Sequence, residues 1–187
     1  HALALLRNQL SRRGHDVRLW PVHRIDRDTS GVLLFATSRA MREAVMARWD
    51  EAEKTYWAIV EGVPSPPRGT IDQPLRLDDE EYRVHVGPHP AAKPAVTHYE
   101  TERTAAGRSL VRVRLETGRQ HQIRAHLAWL GCPVVGDPRY GTAGARLGLH
   151  ALRLTIVHPG TGRPLTFAAP VPADFWALLS TPPAGLG

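Results

Sequence analysis

The 187-residue sequence predicts an α+β domain on a mixed, largely antiparallel sheet, and three observations carry that expectation. Strand-like segments crowd the middle of the chain. Leu110 to Glu116 alternates cleanly, with Val111, Val113 and Leu115 facing one way and Arg112, Arg114 and Glu116 the other, the mark of a strand with one wet face. Thr117 followed by Gln120 then has capping-box spacing, so that strand passes straight into a helix. A chain of this length suits one well-cored domain, and residues 1–187 are expected to form it.

Taken in order, Ala2 to Leu10 reads as a short amphipathic helix carrying Leu3, Leu5, Leu6 and Leu10. Val32 to Ala36, after Gly31, suits a buried strand, and Ser38 can cap a helix with Met41, Ala44, Val45 and Trp49 at helical spacing. Lys54 to Glu61, Tyr82 to Val86 and Ala95 to Arg103 read as strands, separated by Pro/Gly-rich loops at Pro64 to Gly69 and Val86 to Pro94. The helix after Thr117 places Ile123, Leu127 and Leu130 on its apolar side, and Gly131 closes it. Leu149 to Val157 and Pro164 to Ala169 form a hairpin around Pro159-Gly160-Thr161-Gly162, Asp174 to Leu179 a last helix, and Thr181 to Gly187 a frayed tail.

No apolar run approaches the roughly 18 residues needed to cross a bilayer, so a soluble, cytoplasmic and monomeric protein without membrane contact is expected. The one cysteine, Cys132, rules out an internal disulfide or thiolate cluster and fits a reducing compartment. The net charge of +6 points to a polyanionic partner. Lys54 and Lys93 are the only lysines, so the positive charge is almost all arginine, whose planar fork binds phosphate bidentately and stacks on bases.

Three constellations could carry chemistry. His23 to Gly31 packs two arginines, two aspartates, a histidine and two hydroxyls into nine residues directly before a buried strand. A carboxylate there can act as nucleophile or base, with Arg24 or Arg27 to hold it ionised. Charge density alone favours a solvated turn over a site. In Lys54 to Gly62, alternation sets Tyr56, Ala58 and Val60 against Thr55, Trp57 and Ile59, and either face could be core. Tyr56 by itself reads as a packing tyrosine or as the wall of a base-binding site. Glu116 to His126 is a helix start crowded with donors, where Arg119, Gln120, His121 and Gln122 would attract phosphate. His126 and Cys132 match no zinc spacing, and no metal site is expected.

Together these segments resemble the RluA-type pseudouridine synthases, whose hallmark here reads His23-Arg24-Ile25-Asp26-Arg27-Asp28-Thr29-Ser30-Gly31. Lys54-Thr55-Tyr56, Lys93 to Tyr99, Thr117 to His126 and Gly131 to Gly141 follow in the family's order, and the similarity covers roughly residues 1 to 170. The resemblance implies a sheet flanked by helices around a central catalytic cleft. It implies Asp26 as the catalytic carboxylate, Tyr56 against the target base and Arg124 paired with Asp26. It also implies Arg24 entering the RNA, with Arg27, Arg119, His121 and Gln122 on the RNA-binding side. The substrate would be structured RNA, ribosomal or transfer, and the isomerisation of uridine to pseudouridine needs no cofactor. Against the family pattern, the protein is expected to lack a first strand region with a Lys-Pro-x-Gly segment before Ala2 and a small N-terminal RNA-binding domain of S4 type. Two rival classes make opposite demands on geometry. A non-catalytic RNA-binding or chaperone domain needs no assembled site, and a carboxylate-dependent hydrolase needs Glu116 beside Asp26, where the synthase reading puts an arginine.

Overall fold

In the computed structural model, residues 2–180 are described. Along the chain they form α1 (Ala2–Arg12), β1 (Trp20–Pro21), β2 (Ser30–Gly31), β3 (Phe35–Ala36), α2 (Arg39–Met46), a 3-10 turn (Trp49–Glu51), β4 (Glu53–Glu61), β5 (Arg68–Asp72), β6 (Leu75–Asp78), β7 (Arg83–Val86), β8 (Val96–Ala105), β9 (Arg108–Leu115), α3 (Gln122–Trp129), β10 (Leu149–Val157), β11 (Pro164–Ala168) and α4 (Ala173–Ser180). The expected tail, Thr181 to Gly187, lies outside the described residues. Among those residues no helix is long and apolar enough to cross a membrane.

The main sheet runs β11-β10-β4-β9-β8-β5, antiparallel at every step, and β2 joins β10 in parallel. One short parallel pair therefore makes an otherwise antiparallel sheet mixed, as the sequence predicts. In β4 the two alternating faces are both used: Tyr56, Ala58 and Val60 pack with Ile123 and Leu127 of α3, whereas Trp57 and Ile59 pack with Phe175 and Leu179 of α4. Helices on both faces of the sheet account for the near-continuous apolar run in this strand. On β9 the expected wet face is exposed at Arg112 and Arg114. Arg112 pairs with Glu100 and Glu102 across the strand pair.

Several elements differ from expectation. Val32 to Ala36 is not one strand, because the chain leaves β10 after Gly31 and joins β1 only at Phe35. Ser38 does cap α2, its Oγ accepting the Met41 N–H at 3.1 Å, but the helix stops at Met46 and Trp49 belongs to the 3-10 turn. The buried side of α2 is Val45 and Met46, not Met41 and Ala44, which stay exposed. The loop placed at Pro64 to Gly69 runs into β5, and the strand expected at Tyr82 to Val86 forms as β7 but pairs with β6 as a separate hairpin.

The clearest correction concerns α3. It opens at Gln122 with His121 as the preceding residue in a left-handed conformation (φ 51°), so Thr117 does not cap it. Thr117 instead accepts the Val96 N–H and donates to Gln122 Oε1, which also accepts the Arg119 N–H at 2.9 Å. Gly118 to His121 is thereby held as a loop projecting from the helix start. At the other end the Cys132 and Gly131 N–H groups return to Leu127 and Ala128, the paired bonds of a Schellman stop. That stop folds Cys132 and Val134 back into the cluster formed by Ile123 and Leu127.

Candidate active site

The acidic loop before β2 is pinned at both ends. At its start the His23 Nε2 accepts the Leu34 N–H at 3.1 Å, and the imidazole lies 5.4 Å from the Trp49 ring. Burial pushes the His23 pKa down, which keeps Nε2 an acceptor near neutral pH. At its end Gly31 adopts φ +117°, and a Cβ there would lie 2.2 Å from the Ala151 carbonyl oxygen of β10. Only glycine fits this approach. Between the two pins the Thr29 N–H returns to the Asp26 carbonyl at 3.0 Å, closing a turn that leaves the Asp26 side chain half-buried.

Asp26 faces Arg124. Its Oδ2 accepts a 3.0 Å bond from Arg124 Nη1, joining residues 98 positions apart. The Arg124 side chain is 9% exposed, and behind it Asp137, at 0%, accepts from Nε at 2.7 Å and Nη2 at 2.8 Å. Asp137 also accepts the Arg139 and Tyr140 backbone N–H groups. Burial works against the Asp137 charge, but these bonds outweigh it and hold its carboxyl below the ordinary range. Burial likewise opposes the Arg124 charge, and Asp137 and then Asp26 raise its pKa in spite of it. Tyr140 completes the back wall, its ring 5.3 Å from the Arg124 guanidinium and its hydroxyl 3.0 Å from His121 Nδ1.

Asp26, Arg124, Tyr56, Arg24, Arg119, Gln120 and His121 all line one cleft of about 270 Å³. Burial, reinforced by the negative charge of Asp26, pushes the Tyr56 hydroxyl up to about 12. It therefore stays protonated near neutral pH and can donate a hydrogen bond or a proton. Burial lowers the His121 pKa, which Asp26 partly counters and Arg124 supports, so the ring is neutral near pH 7. With Val84 N–H donating to the Tyr140 oxygen, the hydroxyl proton is free to go to His121 Nδ1, leaving Nε2–H toward the cleft.

The other expected residues divide. Arg24 is exposed at the cleft and donates to Gln120 Oε1 at 3.2 Å, and Arg119 is exposed with its Nε on the Pro94 carbonyl. Arg27 does not line the cleft. Its side chain is 93% exposed and pairs with Asp28, so neither arginine beside Asp26 in sequence is the one that pairs with it. Gln122 has no donor to give to RNA: both amide hydrogens go to the Val96 carbonyl and Thr97, and its oxygen accepts from Thr117 and Arg119. The expectation of an RNA contact there is corrected, because the side chain is 2% exposed and fully bonded within the protein. Glu116 turns away to His98 at 2.6 Å and does not line the cleft, so the second carboxylate that a hydrolase needs is not beside Asp26.

Two groups went unassigned from sequence alone. Asp137 sits in the Gly131 to Gly141 block, where Gly136 must be glycine because a Cβ would lie 1.9 Å from the Arg146 carbonyl oxygen. A carboxylate between such a glycine and a proline was the available signal. Lys54 lines the cleft half-buried, its ammonium 5.4 Å above the Trp49 ring, and among the described residues it makes no ion pair. Burial lowers its pKa.

Comparison with known proteins identifies a family. Residues 2–129 match the model of the family described as RNA pseudouridylate synthase. An uncharacterized RNA pseudouridine synthase of Chloroflexus aurantiacus is 45% identical over 89% of this chain and 54% of its own length. One of Zymomonas mobilis is 41% identical over 91% of this chain and 82% of its length. The ribosomal large subunit pseudouridine synthase D of Escherichia coli is 36% identical over 84% of this chain and 54% of its length. The chain thus spans about half the length of several curated relatives it matches. Among solved structures, human RNA Pseudouridylate Synthase Domain Containing 1 superposes with a TM-score of 0.76 at 29% identity, covering 89% of this chain and 74% of that one. On the match of residues 2–129, the hallmark loop and the fold, the chain belongs to the RNA pseudouridylate synthase family, in its RluA-type branch.

Proposed function

We propose that the protein isomerises uridine to pseudouridine in structured RNA, with Asp26 as the catalytic carboxylate. The observation that carries this is the 3.0 Å bond from Arg124 to a half-buried Asp26 in a cleft walled by Tyr56. A target uridine inside a helix is out of reach of such a carboxylate, so the nucleotide must be extruded into the cleft, at a cost of a few kcal/mol that favours loops and weak stems. Arg24, at the mouth, takes the space or the phosphate that the extruded nucleotide leaves, and Arg119 and His121 bind the backbone. Arg27, exposed and outside the cleft, adds only long-range attraction for RNA.

The step is a balanced isomerisation. The N1 to C1′ glycosidic bond breaks, the base turns while held in the pocket, C5 bonds to C1′, the proton on C5 leaves and N1 gains one. No electrons leave the substrate, so no external oxidant is required. Asp26 has one charge-assisted bond from Arg124, which orients one oxygen and leaves the other for the substrate. Tyr56, protonated, packs on the base and can pass a proton. The names of relatives such as the E. coli protein favour ribosomal RNA of the large subunit over transfer RNA as the substrate.

Turnover is measured by tritium release from RNA labelled at uridine C5. Asp26→Asn is expected to abolish release while RNA affinity stays within a few-fold of wild type. Full activity in that variant would sink the assignment, and a wild-type protein that binds RNA without releasing tritium would establish the non-catalytic alternative.

A further inference from the structure

Three groups share two kinds of charge at the base of the cleft: Asp26, Arg124 and Asp137. Counted as ionised they sum to one excess negative charge, because Arg124 alone faces two carboxylates. Asp137 is the better served. It is 0% exposed, takes the Nε and Nη2 edge of the guanidinium bidentately, and has two further backbone donors from the turn that Gly136 makes possible. Asp26 is left with the Nη1 corner.

We infer that Asp137 is a positioning residue for the reaction: it fixes Arg124 toward Asp26 and keeps the guanidinium's charge compensated when Asp26 gives up its own. The argument rests on the function proposed above but not on how Asp26 reacts. Attack on the sugar, addition to the base and abstraction of a proton each leave Asp26 uncharged at some point. If Asp26 were the sole partner of Arg124, each would create a lone cation at a site 9% exposed, and an unpaired buried charge is strongly unfavourable. With Asp137 behind it Arg124 stays paired throughout, and the guanidinium need not move during turnover. Preorganised charge that does not rearrange is the kind that lowers a barrier. Tyr140 belongs to the same device, since its ring lies over Arg124 and its backbone N–H bonds to Asp137.

The test uses the whole chain and the tritium-release assay, in which wild-type turnover and its loss in Asp26→Asn check the underlying function separately. Asp137→Asn keeps the shape and one acceptor but removes the charge. It is expected to lower kcat tenfold or more with KM for RNA within about threefold. A role confined to folding would not separate kcat from KM in this way. A folded Asp137→Asn with wild-type kcat overturns the inference. Should that variant fail to fold, Arg124→Met and Arg124→Met/Asp137→Asn decide it, because the double variant removes both buried charges together. Equal residual turnover in the two supports a role acting through Arg124, and a further loss in the double variant overturns it.

Discussion

Removing Arg124 should do more than impair turnover: it should reverse the way stability depends on pH. In Arg124→Met the fully buried Asp137 loses the Nε and Nη2 bonds at 2.7 and 2.8 Å and keeps only backbone N–H groups, all on one oxygen. Breaking a buried pair by deleting one partner costs about 3–5 kcal/mol, largely from the stranded charge. For a chain of this size that corresponds to a fall in Tm of roughly 6–20 °C near pH 7. The sign with pH follows from linkage. In wild type the Asp137 carboxyl is held low, so its contribution is complete above the unfolded value near 3.9 and disappears as pH falls through the lower folded value. In the variant, burial, the largest influence on this carboxyl, is opposed only by the Arg139 and Tyr140 backbone N–H groups and raises the folded value, so the folded state binds the extra proton. Stability then rises as pH is lowered from about 7 to 5, by up to about 1.4 kcal/mol per unit. Urea unfolding of both proteins across that range measures the slope directly. Arg124→Met within 1 kcal/mol of wild type at neutral pH, or falling in stability as pH drops over that range, would refute the reasoning, and Arg124→Met/Asp137→Asn should recover most of the loss.

Further outcomes follow from other contacts. Tyr56→Phe should fold normally and lower kcat more than RNA affinity, and the wild-type rate should show no loss of the tyrosine proton up to about pH 10, since that hydroxyl is pushed up to about 12. Equal kcat in Tyr56→Phe would reduce Tyr56 to a packing ring. Lys54→Met should weaken binding to all RNAs alike and flatten the logarithmic salt dependence by about 1, as loss of one phosphate contact does, and an unchanged salt slope would remove Lys54 from the interface. Gly31→Ala forces a Cβ to 2.2 Å from a β10 carbonyl and should destabilise the fold by about 3 kcal/mol or more, with activity falling in parallel, and a melting temperature equal to wild type would contradict that approach.

How much of this was legible depended on range. Strand β9 showed through because its exposed arginines recur every two residues toward its end, and β4 because its apolar run is nearly continuous. Helix α2 was marked by Ser38. The end of α2 and the pairing of β2 with β10 were not marked, since both are set by contacts with residues far along the chain. The site itself was invisible to local reading. Asp26 lies among charges that suit a solvated turn, and Arg27 and Asp28 do make such a surface pair. What distinguishes Asp26 is a bond to a residue 98 positions away, which no window along the chain contains. Only the order of separated motifs, matched to a family, pointed to Arg124.

Helix α3 explains why its motif misleads a local reading. Polar residues at Gln122, Arg124 and His126 alternate with apolar ones along it, so Gln122 and His126 share one side of the helix and Arg124 lies on the other. All three are buried, at 2%, 7% and 0% exposure. Buried polar groups persist only when bonded, and each of these ties the helix to other elements of the fold. Gln122 ties the Gly118 to His121 loop to β8, Arg124 ties Asp26 to Asp137, and His126 accepts from Thr97 and donates to the Gln73 carbonyl ahead of the β6–β7 hairpin. Burial keeps His126 neutral, as those two opposite bonds require. These three polar side chains are therefore fixed tethers. A polar substitution that a surface would tolerate, such as Gln122→Glu, puts a carboxylate oxygen where the amide's two donors are needed and should loosen the loop carrying Arg119 and His121 before it unfolds the sheet.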